Sequence, residues 1–129
     1  MKEVNRDVNL YNAWGEINFY RTEDGRCPVK EFLDSLPGKA GQKVAWVLKL
    51  IQDLEVIPST YFKKLEATDD IWECRVQFGS HAYRLLGFFS HHAVIVLTHG
   101  FSKKSQKTPR TEIERAEGYK KDFMRRSKP

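Results

Sequence analysis

The sequence predicts an α+β domain, with a mainly antiparallel sheet of about four strands packed on an N-terminal helical hairpin and followed by a C-terminal helix. Three observations carry that reading. Apolar periodicity runs strand, helix, helix, strand, strand, strand, helix along the chain. Gly79-Ser80 between two alternating runs is a two-residue hairpin signal, with glycine where a type II′ turn requires it. The 129 residues, 40% hydrophobic and 12% aromatic, suffice for one domain with its own core.

Residues 1–15 have no clear period and read as an N-terminal arm, in which Val8, Leu10, Tyr11 and Trp14 pack as an arm or short turn. From Glu16, Ile17 and Phe19 alternate with Asn18 and Tyr20, a first strand ended by the turn residues Glu23-Asp24-Gly25. Pro28 suits a helix's first turn, where its missing N–H has no partner to lose. Val29, Phe32, Leu33 and Leu36 then form one apolar stripe, ended by Pro37-Gly38. A second helix is expected over 40–55, with Val44, Val47, Leu48, Ile51 and Leu54 on one face. The short break makes the pair an antiparallel hairpin.

Strands are expected over 71–78, 82–89 and 93–99, the last two joined by a turn at Ser90-His91-His92. After Gly100 the strand breaks into a flexible loop carrying Lys103, Lys104 and Lys107. Thr108-Pro109 reads as an N-cap and first helical position for a last helix with Ile113, Ala116, Tyr119 and Phe123 on a narrow stripe. The predicted domain spans 16–125, with a basic tail at 126–129.

Composition excludes several classes. No apolar run approaches the ~20 residues of a membrane span, and the N-terminus lacks the apolar core of a signal peptide, which predicts a cytoplasmic protein. Cys27 and Cys74 lack metal or disulfide spacing and are expected to be reduced. His91-His92 has no further ligands at metal spacing, so no metal or other cofactor is expected. The net charge of +5 is unevenly spread: residues 102–129 carry ten Lys/Arg against four Asp/Glu, and the rest twelve against thirteen. That asymmetry points to a polyanionic partner, or to a solvated basic tail.

The hairpin turn also fixes register. With Gly79-Ser80 at its tip, Arg75 lies directly across from Arg84, and opposed like charges destabilise a strand pair. A bound anion, or Glu73 on the same face, would offset the repulsion. A second two-residue turn at His91-His92 would place His99 opposite Arg84. The expected result is an open, concave, basic sheet face beneath a lysine loop, suited to phosphate. The plain alternative is a set of surface arginines paired with Glu73 or Glu66.

Lys64-Leu65, Ile71-Trp72-Glu73-Cys74-Arg75, Tyr83-Arg84 and the block His99-Gly100-Phe101-Ser102-Lys103-Lys104-Ser105-Gln106-Lys107-Thr108-Pro109 resemble the Gp49-like, HigB-type branch of the RelE/ParE toxin superfamily. The resemblance covers residues 16–123. Cys74 departs from it, since the family usually has leucine there. The resemblance implies a RelE-like fold and a type II toxin that cleaves messenger RNA on the ribosome without a metal. A helix-turn-helix antitoxin would neutralise it, and any oligomer would form through that antitoxin. Arg75, Arg84 and lysines after Phe101 are the implied catalytic positions.

A metal-free ribonuclease must deprotonate a ribose 2′-OH, stabilise a phosphorane and protonate the leaving 5′-oxygen. Arg75 and Arg84 are assigned to the phosphate, with Lys103, Lys104 and Lys107 holding the backbone or assisting proton transfer. His99, Glu73 or a lysine of depressed pKa is the base; His99 is otherwise a satisfied strand-end residue. Lys63, Lys64, Lys107 and Glu73 are candidate RNA contacts, Lys63-Lys64 being otherwise a solvated loop. Phe101 either stacks on a base or plugs the core. Two other readings stay open: a gyrase-poisoning toxin of the same fold, and a basic RNA- or DNA-binding module without catalysis.

Overall fold

The computed structural model describes residues 10–12, 15–54, 57–90, 94–103 and 107–127. The expected turn at His91-His92, residues 1–9 of the arm, Lys104 and the end of the basic tail lie outside the described residues. Six strands and three helices follow in the order β1 (Leu10–Asn12), β2 (Gly15–Phe19), α1 (Pro28–Asp34), α2 (Gly38–Asp53), β3 (Phe62–Lys64), β4 (Trp72–Phe78), β5 (His81–Phe89), β6 (Val94–Lys103) and α3 (Arg110–Arg126). The strands form one sheet in the order β1-β2-β6-β5-β4-β3.

The sheet departs from the expected one in two ways. It has six strands, because part of the N-terminal arm pairs as β1 and the Lys63-Lys64 loop pairs as β3. It is also mixed, since β2 runs parallel to β6 while the other neighbours are antiparallel. Three-residue strands such as β1 and β3 are too short to show a period, so only their pairing defines them.

Both faces of the sheet are covered. On one, Val29 of α1 and Val44, Val47, Leu48 and Ile51 of α2 pack with Cys74, Val76, Leu85 and Leu97. On the other, Ala116 of α3 meets Ile71 and Leu86, while Tyr119 and Phe123 pack against Tyr20, Phe88 and Val96. The central strand β5 is therefore buried at every residue from Ala82 to Phe88. Fully buried strands read as near-continuous apolar runs, and Leu85-Leu86-Gly87-Phe88 is one. The open basic face expected from the sequence is thus corrected: α3 lies over it. Among the described residues, no helix is long and apolar enough to cross a membrane.

Gly100 does not end the last strand. β6 continues through it to Lys103, paired with Ala82–Leu85 of β5. The glycine is required for close approach, since a Cβ there would sit 2.3 Å from Cδ2 of Phe32 on α1. The strand therefore runs three residues past the glycine at which the flexible loop was expected to begin. Gly79 has φ +63°, and its hairpin gives the register read from the sequence, with Arg75 opposite Arg84.

Gly100→Ala is expected to cost about 1–3 kcal/mol through overpacking against Phe32. Urea unfolding should register the loss, and Phe32→Leu in the same chain should recover part of it.

Candidate functional site

Four strands place charged side chains in two rows. Lys63, Glu73, Leu86 and His99 are in register across β3, β4, β5 and β6, and Arg75, Arg84 and Phe101 form the next row. Opposite charges meet directly in the first row, where Lys63 faces Glu73. In the second, two arginines face each other, and Glu73 lies diagonal to Arg84.

Arg84 is 0% exposed and Glu73 2%. Arg84 Nη1 lies 3.9 Å from Glu73 Oε2 and donates to Thr108 Oγ1 at 3.3 Å. The Thr108 hydroxyl donates in turn to Glu73 Oε2. Thr108 therefore does not cap α3 as its position before Pro109 suggested; Pro109 holds the cap position and makes no side-chain bond to the helix. Its hydroxyl is used instead where a buried carboxylate needs a donor. Burial pulls the Arg84 guanidinium below its ordinary pKa and Arg75 pulls the same way, while Glu73 opposes them. The anion that offsets the arginine pair is thus the chain's own Glu73. Cys74, on the opposite face, has its thiol pushed up to about 12 by burial, with Glu73 adding to the shift, which makes it an inert core residue.

Arg75 is half-buried and lines an opening at the β4 edge. The shortness of β3 creates that opening. It covers β4 only from Trp72 to Cys74, with one further bond from Arg75 N to the Tyr61 carbonyl. Beyond it a groove of about 380 Å³ runs along the β4 edge, between Lys43 and Val47 of α2, residues 59–61, and Glu73, Arg75 and Gln77. Lys43, Lys63 and Arg75 bring three cations to it, and among the described residues Glu73 is the one carboxylate in its lining. Such a surface suits an anion gripped by one planar fork and two point charges.

The remaining predicted residues are dispersed. Lys64 faces away from the arginine row, opposite Trp72, and pairs with Asp70 at 2.8 Å. Lys107 is exposed just before Thr108. The backbone of Lys103 ends β6 opposite Ala82. Phe101, not His99, is the residue opposite Arg84. Two one-residue shifts cause this: the pairing Phe89↔Ile95 near the turn, and an irregularity at Leu86/Gly87 that places Thr98 as an extra residue in β6. Together they preserve which face His99 occupies. Phe101 is partly buried against Ile71, Leu86 and Ala116 and stacks on the His99 ring at 5.9 Å, which fits the core-plugging alternative.

His99 is 1% exposed. Its Nε2 lies 2.9 Å from Glu112 Oε1 of α3 and its Nδ1 3.1 Å from Thr98 Oγ1. Both ring nitrogens thus bind the chain itself, and the imidazole ties α3 to the sheet rather than lining the groove. Burial lowers its pKa against the opposing pull of Glu112, and the cation of Arg115 adds to the lowering. Sequence reasoning missed Thr108, Glu112, Lys43 and Tyr61. For Glu112 a signal existed, an acidic residue in the first turn of a helix following a strand-end histidine; the others depend on tertiary placement.

The family model described as "Phage derived protein Gp49-like" matches residues 31–121. That span holds Glu73, Arg75, Arg84 and Thr108 as well as the groove. No curated protein matches the chain.

Arg84→Ala should strand a buried carboxylate and cost about 3–5 kcal/mol; Glu73→Gln with Arg84→Met should cost markedly less than the single change, a coupling that a double-mutant cycle of urea unfolding measures. A second expectation concerns pH. The unfolded chain binds a proton at His99 that the folded site resists, so stability should be intact above about 6.5 and fall as the pH drops below that value. Chemical denaturation at a series of pH values should show this slope, reduced in His99→Gln.

Proposed function

The chain belongs to the Gp49-like family of phage-derived proteins, and from that membership and the geometry above we propose that it is the toxin of a type II toxin-antitoxin system, a metal-independent endoribonuclease of HigB type with a RelE-like fold. Its substrate is messenger RNA on the ribosome, in the cytoplasm, and a helix-turn-helix antitoxin neutralises it. The observation that carries the reading is the direct pairing of Arg75 with Arg84 next to Lys63, at the mouth of a groove with three cations. A sheet holds two like charges in register at a cost, and that cost has a use if the outer arginine is to be rigid.

The two arginines take different parts. Arg84, fixed by Thr108 and Glu73, sets the field and the position of its neighbour. Arg75, at the groove, contacts the scissile phosphate, and Lys63 and Lys43 hold the adjoining backbone. In the reaction the ribose 2′-oxygen loses its proton and bonds to phosphorus. The bond from phosphorus to the 5′-oxygen breaks, and that oxygen is protonated. Negative charge grows on the phosphorane oxygens, where a pre-placed guanidinium stabilises the transition state more than the ground state. Glu73, buried and bonded to Thr108, positions the arginines and, like His99 beneath α3, is closed off from the ribose, so water takes the proton from the 2′-oxygen and supplies one to the 5′-oxygen.

Arg75→Ala tests this more cleanly than a change at Arg84, because half-exposed Arg75 can be removed without stranding Glu73. Induced expression of the wild-type chain should arrest growth and create new messenger RNA 5′ ends. Arg75→Ala should reduce those ends about 10²-fold with little change in thermal midpoint. Growth arrest without new 5′ ends would instead indicate a target other than RNA, such as gyrase.

A further inference from the structure

Trp46 of α2 is 53% exposed, the most exposed large apolar side chain among the described residues. It lies outside the helix's buried stripe of Val44, Val47, Leu48 and Ile51. Its ring meets Tyr61 edge-on, with centroids 6.4 Å apart at 85°. Tyr61 lines the β4-edge groove, as do Lys43, one helical turn before Trp46, and Val47, the next residue. None of the ion pairs among the described residues uses Lys43 or Lys63. An aromatic platform therefore stands at the lip of a groove whose cations are Lys43, Lys63 and Arg75.

We infer that this lip is a binding track for unpaired RNA, in which Trp46, braced by Tyr61, stacks on a base while Lys43 and Lys63 hold the flanking phosphates. The inference rests on the ribonuclease reading and extends it by assigning substrate-gripping residues on α2 and at Tyr61. Charge complementarity favours a polyanion. Exposed indole beside it favours one that carries flat rings, because base stacking on an aromatic face is sequence-tolerant and strong. An acidic polypeptide would satisfy the lysines and leave the indole without a stacking partner. Trp46 is not part of the buried core, and with Tyr61 it forms a paired aromatic surface beside the groove.

The test uses the full chain and a fluorescein-labelled octanucleotide of 2′-O-methyl RNA, which lacks the 2′-OH needed for cleavage. A second probe has the same backbone with abasic residues. Anisotropy titration should show the wild-type chain binding the intact probe roughly tenfold more tightly than the abasic one. Trp46→Leu should bind both probes alike, at the abasic level, and Trp46→Phe should retain most of the preference. Lys63→Ala should weaken both probes in parallel. Thermal melting of Trp46→Leu close to wild type would exclude a folding defect. Equal binding of the two probes by the wild-type chain would overturn the proposal, as would unchanged binding by Trp46→Leu. So would a polyglutamate peptide of matched charge that binds as tightly as the intact probe, which would mark the lip as a protein-docking surface. Loss of messenger RNA cleavage in cells does not enter this assay, so the stacking track and the nuclease reading can fail separately.

Discussion

The buried contact among Arg84, Glu73 and Thr108 is the constraint on which the rest of the molecule depends. A guanidinium with no exposure is tolerated only where its charge is answered. Glu73 answers it from the adjacent strand, and Thr108 links the two from the segment leading into α3. The link therefore joins β4, β5 and the start of the last helix at one point. His99 and Glu112 make a second tie one helical turn further along α3. Between them these two polar contacts determine where α3 crosses the sheet, while Ala116, Tyr119 and Phe123 supply the apolar area beneath it.

Fixing α3 in this way divides the charged face into an inside and an outside. Arg84, Glu73 and His99 are enclosed, whereas Arg75 and Lys63 emerge where β3 stops. The loop over residues 66–70 closes the far side. There Asp69 N donates to Glu117, and Lys120 reaches the Asp69 carbonyl at 2.7 Å. At the other end of α3, Asp122 receives Tyr20 and both Arg125 and Arg126. Burial raises the Tyr20 hydroxyl to about 12, with Asp122 adding to the shift, so that phenol remains a donor at any physiological pH. The helix is thus held along its length by polar contacts at its margins and small or aromatic residues at its centre.

Much of this was legible in the sequence, and the limits have physical causes. The Gly79-Ser80 turn gave the β4–β5 register because a two-residue loop leaves one choice of pairing. That register alone put Arg75 opposite Arg84. The second register failed because an irregular strand obeys no counting rule, and the extra residue Thr98 has no mark in the local sequence. Gly100 misled for a related reason: a glycine that makes room for Phe32 looks the same as one that breaks a strand. The enclosure of Arg84 was hidden by its residue type. The signal lay in its neighbours, since an uninterrupted apolar run at 85–88 implies cover on both sides of β5. The N-cap reading of Thr108 followed propensity, and a tertiary demand for a donor overrode it.

The parallel pairing of β2 with β6 has a temporal consequence. Residues Glu16–Phe19 must wait for Val94–Leu97 before their ladder can form, and a closure over that much chain is slow. Thr108 and Glu112 arrive later still during synthesis. Until they do, the charges of Glu73, Arg84 and His99 remain hydrated, and the face that α3 will cover stays accessible. Completing the last helix is therefore the step that sorts the charges of this face into an enclosed interior and an accessible rim.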